Sequence, residues 1–236
     1  MIVKIVDIMR SDKRKDDEFR SVKIKLNVVK SALGSCYFEM GKTAVIAATY
    51  GPQDVKPKHL EDAEKGIIMC NYNMLPFSVE GDRKRPGYDR RSVEISKVVK
   101  ESLEPAIFLE EYAKYLINID MQILQADAGT RVVAINAAAL ALACAGISMR
   151  DIVSAVAVGR ANGKILVDLT KEEEDAEDAI DTPIAIMPKF GEITLLQMDG
   201  IASVDDMKKI IKQGEAACQK IAELQRNALK NGIHSI

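Results

Sequence analysis

The sequence predicts an α+β protein, with mixed, mostly antiparallel sheets packed against helices. Three observations carry this. Stretches of alternating apolar and polar residues recur along the chain, as in "VKIKLNVV" (22–29), and mark half-buried strands. Three long stretches keep helical spacing between start and stop signals. Strand neighbours are joined by short turns, as at Asn162-Gly163. The order is strands then helix, twice over, which suggests two lobes dividing near Gly146 to Arg150. Residues 19–148 make the first lobe and 149–236 the second, after an N-terminal extension at 1–18.

The elements follow in order. After the strand at 22–29, "GSCYFEMGKTAVIAATYG" reads as two strands turning at Gly41-Lys42. A polar loop at 53–66 contains Pro57, and "IIMCNYNML" (67–75) alternates again. The basic loop "EGDRKRPGYDRR" (80–91) is closed by Pro86-Gly87. A helix begins at Asp89, a good N-cap, carries Ile95, Val98, Val99, Ser102 and Leu103 inward, and stops at Pro105. "YLINIDMQIL" (115–124) puts Ile117, Ile119, Met121 and Ile123 on one strand face. The stretch from Asp127 then gives a helix of small residues ended by Gly146. A hairpin about Asn162-Gly163, an acidic loop, and two strands joined by Lys189-Phe190-Gly191 come next. The last helix starts near Ser203, with Met207, Ile210, Ile211, Ala217, Ile221, Leu224 and Ala228 on one face.

Composition narrows the function classes. A net charge of −2 leaves any nucleic-acid contact to a local basic patch. The four cysteines (Cys36, Cys70, Cys144, Cys218) form no CxxC pair and fit buried thiols in a reducing cytosol. The N-terminal stretch is broken by Lys4 and Asp7 and has no signal-peptide pattern. The most apolar run, Val132 to Ile147, contains Asn136 and is shorter than the roughly 18 residues of a membrane span, so it is expected to be a buried helix in a cytoplasmic protein without a membrane contact.

Three charged features suggest chemistry. "DAGTR" (127–131) opens a helix, where free N–H groups and the positive end of the dipole attract anions. Gly129 allows close approach to the backbone, Thr130 can cap the helix or offer its hydroxyl, and Arg131 adds a charge-assisted fork. Taken alone, the stretch is better explained by a capping Thr and a solvated Arg, since capping is common. Arg90 and Arg91 also open a helix, against its dipole, and five cations lie between Arg83 and Arg91, a placement that suggests an anionic partner. The acidic run holds Glu172, Glu173, Glu174, Asp175, Glu177, Asp178 and Asp181, and only Asp181 borders an apolar strand. Spacing alone singles out neither Asp175 nor Asp181.

The stretches "YGPQDVKPKHL", "LPFSVEGDRKRPGYDRRSVEISKVVKESLEP", "ADAGTRVVAINAAALALACAGI", "DTPIAIMP" and "EITLLQMDG" resemble, in order, the RNase PH family of phosphorolytic exoribonucleases. Within it, the likeness is to the RNase PH-like catalytic subunits of archaeal exosomes. The resemblance implies an RNase PH-type fold and 3′→5′ phosphorolysis of RNA, with inorganic phosphate as co-substrate and nucleoside diphosphates as products; the reverse reaction tails RNA. It implies phosphate binding by Gly129, Thr130 and Arg131, RNA binding by Arg90, Arg91, Lys58 and His59, and catalysis or Mg²⁺ binding by Asp175 and Asp181. The implied partners are a single-stranded RNA 3′ end, a related non-catalytic subunit in a hexameric ring, and RNA-binding cap subunits. A non-catalytic RNA-binding ring subunit, or a homo-oligomeric RNase PH trimming tRNA 3′ ends, would share most of these blocks. Retention of Asp181, Arg131 and the arginine pair argues against the first.

Overall fold

Two sheets enclose one helix, and that arrangement accounts for the helix's small side chains. The computed structural model describes residues 10–79, 89–176 and 178–233. The start of the N-terminal extension, the basic loop with Arg83, Pro86 and Gly87, and Glu177 lie outside the described residues. The first sheet contains β1 (Val22–Leu26), β2 (Gly34–Met40), β3 (Thr43–Asp54), β4 (Ile67–Met74) and β5 (Tyr115–Gln125), in the order β1-β2-β3-β5-β4. Only β4 and β5 pair in parallel. Parallel neighbours need a long crossover, and here it includes α1 (Arg90–Leu103). The second sheet is wholly antiparallel: β6 (Ser154–Ala161), β7 (Lys164–Val167), β8 (Ile180–Met187) and β9 (Glu192–Leu196), in the order β7-β6-β8-β9.

Helix α2 (Thr130–Cys144) lies between the sheets. Every residue from Val132 to Leu142 is buried, so the helix has no polar face to present. Against β2 the approach is so close that a β-carbon on Gly34 would sit 2.2 Å from the Ala145 nitrogen and 2.4 Å from the Ala141 oxygen. Against β6, Asn136 donates to the Ala155 carbonyl (2.8 Å) and accepts from its N–H (2.9 Å). The one polar residue of the run is thus fully paired, as a buried amide must be. Gln225 of the last helix, α4 (Val204–Ile233), donates to Asn136 (3.2 Å) and accepts from Ser154 (2.6 Å). One continuous core runs through both sheets and these helices.

Several expectations are refined. β1 ends at Leu26, where Asn27 turns with a positive φ of 55°. β3 continues to Asp54, past the expected stretch ending at Gly51 and into the start of the expected polar loop. The Asn162-Gly163 turn is present, both residues left-handed, and the carboxylate of Asp178 accepts from both amides at 2.8 Å. The acidic loop contains a helical turn, α3 (Lys171–Glu174), with a capping box between Thr170 and Glu173. The inward face of α4 is Ile210, Ala217, Cys218, Ile221, Ala222 and Gln225, whereas Leu224 is exposed. Ile210, Ala217 and Ile221 of the expected stripe are thus buried and Met207 packs against the core, while Cys218, Ala222 and Gln225 join them in place of Leu224.

All four cysteines are free thiols. Burial pushes Cys70 up to about 12 and Cys144 up to about 11, so neither is a ready nucleophile. Among the described residues no helix is long and apolar enough to cross a membrane.

Candidate active site

The start of α2, the start of α1 and the start of β8 converge on one cleft of about 1430 Å³. Gly129 is the N-cap of α2, left-handed at φ 64°. Thr130, expected as a possible cap, is instead the first helical residue. Its buried hydroxyl oxygen accepts from the Tyr72 hydroxyl on β4 at 3.0 Å. Arg131 follows one position on and reaches into the cleft. Its Nε is buried without a hydrogen-bond partner among the described residues. Its Nη2 lies 3.4 Å from Glu94, which is more than half exposed. A buried guanidinium N–H left unpaired is costly unless something else fills the site.

Asp181, the second residue of β8, faces this group across the cleft. Burial raises its pKa, Arg131 and Arg91 pull it back down, and Asp199 raises it. These charges therefore bear on one carboxyl. Asp181 Oδ1 is buried and has no hydrogen-bond partner among the described residues. Its backbone is clamped to Asp199 by two hydrogen bonds of 3.0 and 2.8 Å, so the side chain is aimed rigidly.

The arginine pair divides. Arg91 lines the cleft, while Arg90 is exposed at the first position of α1 and does not line it. Asp89 holds the N-cap position in extended conformation, without the side-chain capping bond the sequence suggested. Lys58 and His59 are exposed on a short 3-10 turn (Lys58–Leu60) and are not among the residues lining the cleft.

Asp175 is exposed and ion-paired with Lys171 one turn back, a residue that itself lines the cleft. Its neighbour Glu174 lines the cleft directly. Burial pushes Glu174 up to about 7, and Asp181 adds to the rise; Lys171, the Gly129 N–H and Arg20 oppose it. Sequence reasoning missed Glu174 and Asp199. Within a run of like acids, only the phase of α3 separates Glu174 from Asp175, and that phase is set by the Thr170–Glu173 cap. Asp199 reaches Asp181 through a bridge outside the named strands.

No trio of His, Cys, Asp or Glu suited to a metal ion occurs among the described residues. Mg²⁺, however, is commonly held by one or two carboxylates plus substrate phosphates. The unpartnered oxygen of Asp181 fits that mode, whereas Asp175 is already ion-paired with Lys171.

Residues 18–148 match the 3′ exoribonuclease family, domain 1, and residues 151–217 match domain 2. The chain is 50% identical over 221 residues to the exosome complex component Rrp41 of Pyrococcus abyssi, covering 94% of this chain and 88% of that protein. It is 49% identical over 224 residues to the Rrp41 component of Methanopyrus kandleri, covering 95% and 93%. Among solved structures, rice Rrp46 superposes with a TM-score of 0.82 at 24% identity, covering 94% of this chain and 100% of that one. A chain of the Archaeoglobus fulgidus exosome with RNA bound to the active site gives 0.78 at 23%, covering 92% of each. These two show the fold: mixed α+β, antiparallel-dominated, of the RNase PH type. With both domains matched in order and about half the residues shared with exosome components over nearly the whole length, the chain belongs to the RNase PH family of 3′ exoribonucleases.

Proposed function

We propose that this protein is the catalytic subunit of an archaeal-type exosome and degrades RNA from its 3′ end by phosphorolysis, releasing nucleoside diphosphates. One observation carries the reading: the guanidinium of Arg131, with a buried unpartnered Nε, shares a cleft with Arg91 and with Asp181, whose Oδ1 is also unpartnered. Two cations and a carboxyl raised by burial, all facing one space, suit an anionic nucleophile and an anionic substrate.

Orthophosphate would sit at the start of α2, held by Arg131 and the helix amides. Arg91 would neutralise the terminal phosphodiester, with Arg90 on the neighbouring phosphate of the approaching strand. A phosphate oxygen then attacks the last phosphorus in line, and the bond to the 3′ oxygen breaks. Charge builds on the equatorial oxygens, so positioning and electrostatic stabilisation supply most of the rate. Asp181 in its acid form protonates the leaving 3′ oxygen, a role for which a raised pKa is apt. Should Mg²⁺ bind, Asp181 would hold it beside the phosphates, where the ion supplies charge neutralisation. The products are a nucleoside diphosphate and an RNA shortened by one nucleotide, and excess diphosphate drives the reverse addition.

Lys58 and His59, exposed and outside the cleft lining, belong in this reading to the path by which RNA arrives. Work in the cytoplasm, a hexameric ring shared with a related non-catalytic subunit, and RNA-binding caps complete the proposal, supported by the exosome names of the relatives. The test is degradation of oligo(A) with and without orthophosphate, the chain being assayed alone and with its related subunit. Phosphate-dependent release of nucleoside diphosphate is expected. Phosphate-independent release of monophosphates, or no release in either setting, would overturn the reading.

A further inference from the structure

Behind the cradle lies a charged cluster that the reaction scheme leaves unused. Asp168 follows β7 with a left-handed backbone (φ 55°) and is fully buried. A buried carboxylate is costly unless its oxygens are paired and hydrogen-bonded. Here Arg20 donates to it from the backbone N–H (2.8 Å), from Nε (2.8 Å) and from Nη2 (2.7 Å). Arg14 adds a longer ion pair at 3.4 Å. Arg20 is buried too, and its remaining nitrogen donates to the carbonyl of Asp127.

That carbonyl belongs to the turn that presents the cradle. Ala128 and Gly129 are successive left-handed residues, at φ 60° and 64°. Such a pair is held only when its surroundings fix it. Thr43 holds it from the side: Oγ1 lies 2.9 Å from the Asp127 carbonyl and 2.8 Å from that of Ala128, and accepts from the Asp127 N–H at 3.0 Å. Arg20 and Asp168 hold it from below. A β-carbon built on Gly129 would lie 3.5 Å from Arg20 Nη2 and 3.9 Å from Asp168 Oδ1.

The origin of the two partners gives the cluster its meaning. Arg20 and the turn at 127–129 belong to the part of the chain that carries Arg131. Asp168 directly follows β7, a strand of the sheet that also holds β8 and Asp181. The Arg20–Asp168 ion pair therefore ties the turn on one wall of the cleft to the sheet that carries the other. Arg10 reinforces the span, gripping Glu173 of α3 through Nε and Nη2 at 2.8 Å each and the Val167 carbonyl at 2.9 Å.

We infer that Arg20 and Asp168 are positioning residues: they fix the 127–129 turn, and with it the orthophosphate cradle, at a set distance from the wall that carries Asp181. The inference rests on the phosphorolytic reading and adds to it the device that aligns the nucleophile. A merely structural ion pair would lower stability when altered and affect all ligands alike. A positioning pair acts on orthophosphate selectively.

Two variants separate these outcomes. Arg20→Lys keeps the positive charge but cannot serve both Asp168 and the Asp127 carbonyl. Thr43→Val removes the side clamp and leaves the ion pair intact. For each, KM for orthophosphate is measured at saturating RNA, RNA affinity by fluorescence anisotropy, and orthophosphate affinity by calorimetry. Both variants are expected to raise the orthophosphate KM and Kd roughly 10- to 100-fold, with RNA affinity unchanged within about twofold. Unaltered orthophosphate KM and Kd in a folded variant, or parallel loss of RNA and orthophosphate binding, would refute the inference. Should Arg20→Lys fail to fold, Thr43→Val decides. If the wild-type chain binds orthophosphate but shows no phosphate-dependent turnover, the phosphorolytic reading fails, and calorimetry on the variants still judges the positioning role. Absence of orthophosphate binding by the wild type would end both.

Discussion

Replacing Arg131 with alanine should separate catalysis from stability more cleanly than any other change in the cleft. The stability side follows from its contacts. Among the described residues the side chain makes one ion pair, to Glu94 at 3.4 Å, and Glu94 is more than half exposed. Pairs of that kind contribute about 0–1 kcal/mol. Arg131 also leaves Nε buried without a partner among the described residues, so its removal relieves a small penalty. The net change in unfolding free energy should stay below about 1 kcal/mol, or roughly 2–4 °C in Tm for a chain of this size.

The catalytic side is larger. Losing one preorganised donor to developing charge commonly costs about 10²–10³ in rate, equivalent to roughly 3–4 kcal/mol. The assay is nucleoside diphosphate release from an end-labelled oligo(A) at saturating RNA and varied orthophosphate. Arg131→Ala is expected to lose two to three orders of magnitude in kcat/KM for orthophosphate, with Tm nearly constant. Arg131→Lys should fall between, because it restores charge without the planar fork. Turnover within about threefold of wild type in Arg131→Ala, in a folded protein, would remove the guanidinium from the mechanism.

Two further outcomes follow from the packing. At Gly159, which pairs with Asp181 in the β6–β8 register, an added β-carbon would lie 1.7 Å from the Ile180 carbonyl oxygen; Gly159→Ala should therefore displace β8 at its catalytic end, abolishing activity and costing about 3 kcal/mol or more, read by paired urea melts and kinetics. Asn136→Ala strips both backbone partners of Ala155 and one of Gln225; about 3 kcal/mol of lost stability is expected in urea, and a loss under about 0.5 kcal/mol would mean that water or rearrangement satisfies those groups.

The sequence exposes what is local and hides what is not. The Asn162-Gly163 turn, the small-residue helix and the stop at Gly146 are written in adjacent residues, because backbone sterics act over a few positions. Arg131 and Arg91 are legible for the same reason: each stands in the first turn of a helix whose start is marked. Glu174 and Asp175 cannot be told apart in the sequence because a run of acids carries no phase of its own. The phase comes from Thr170 and from Arg10, the latter more than 160 positions before its partner Glu173. Arg20 and Asp168 were equally invisible, being 148 residues apart and ordinary in composition. The parallel β4–β5 pair likewise follows from the crossover through α1, which no short pattern encodes.

The opposed walls of the cleft raise a mechanical question, since one wall comes from each sheet. Helix α2 is the body they share: its first turn forms the cradle, and its flanks pack on β2 and β3 on one side and β6 on the other. The separation between Arg131 and the β8 acid is therefore set by how closely the sheets approach this helix. Ala141 and Ala145 meet Gly34 almost backbone to backbone, and Asn136 bonds directly to β6. Side chains of ordinary size would force the sheets apart by ångströms, and misplacements of about 1 Å in a catalytic constellation commonly cost two orders of magnitude in rate. The small residues of α2 thus act on chemistry through distance: they bring two separately built sheets close enough for charges on both to meet one phosphate.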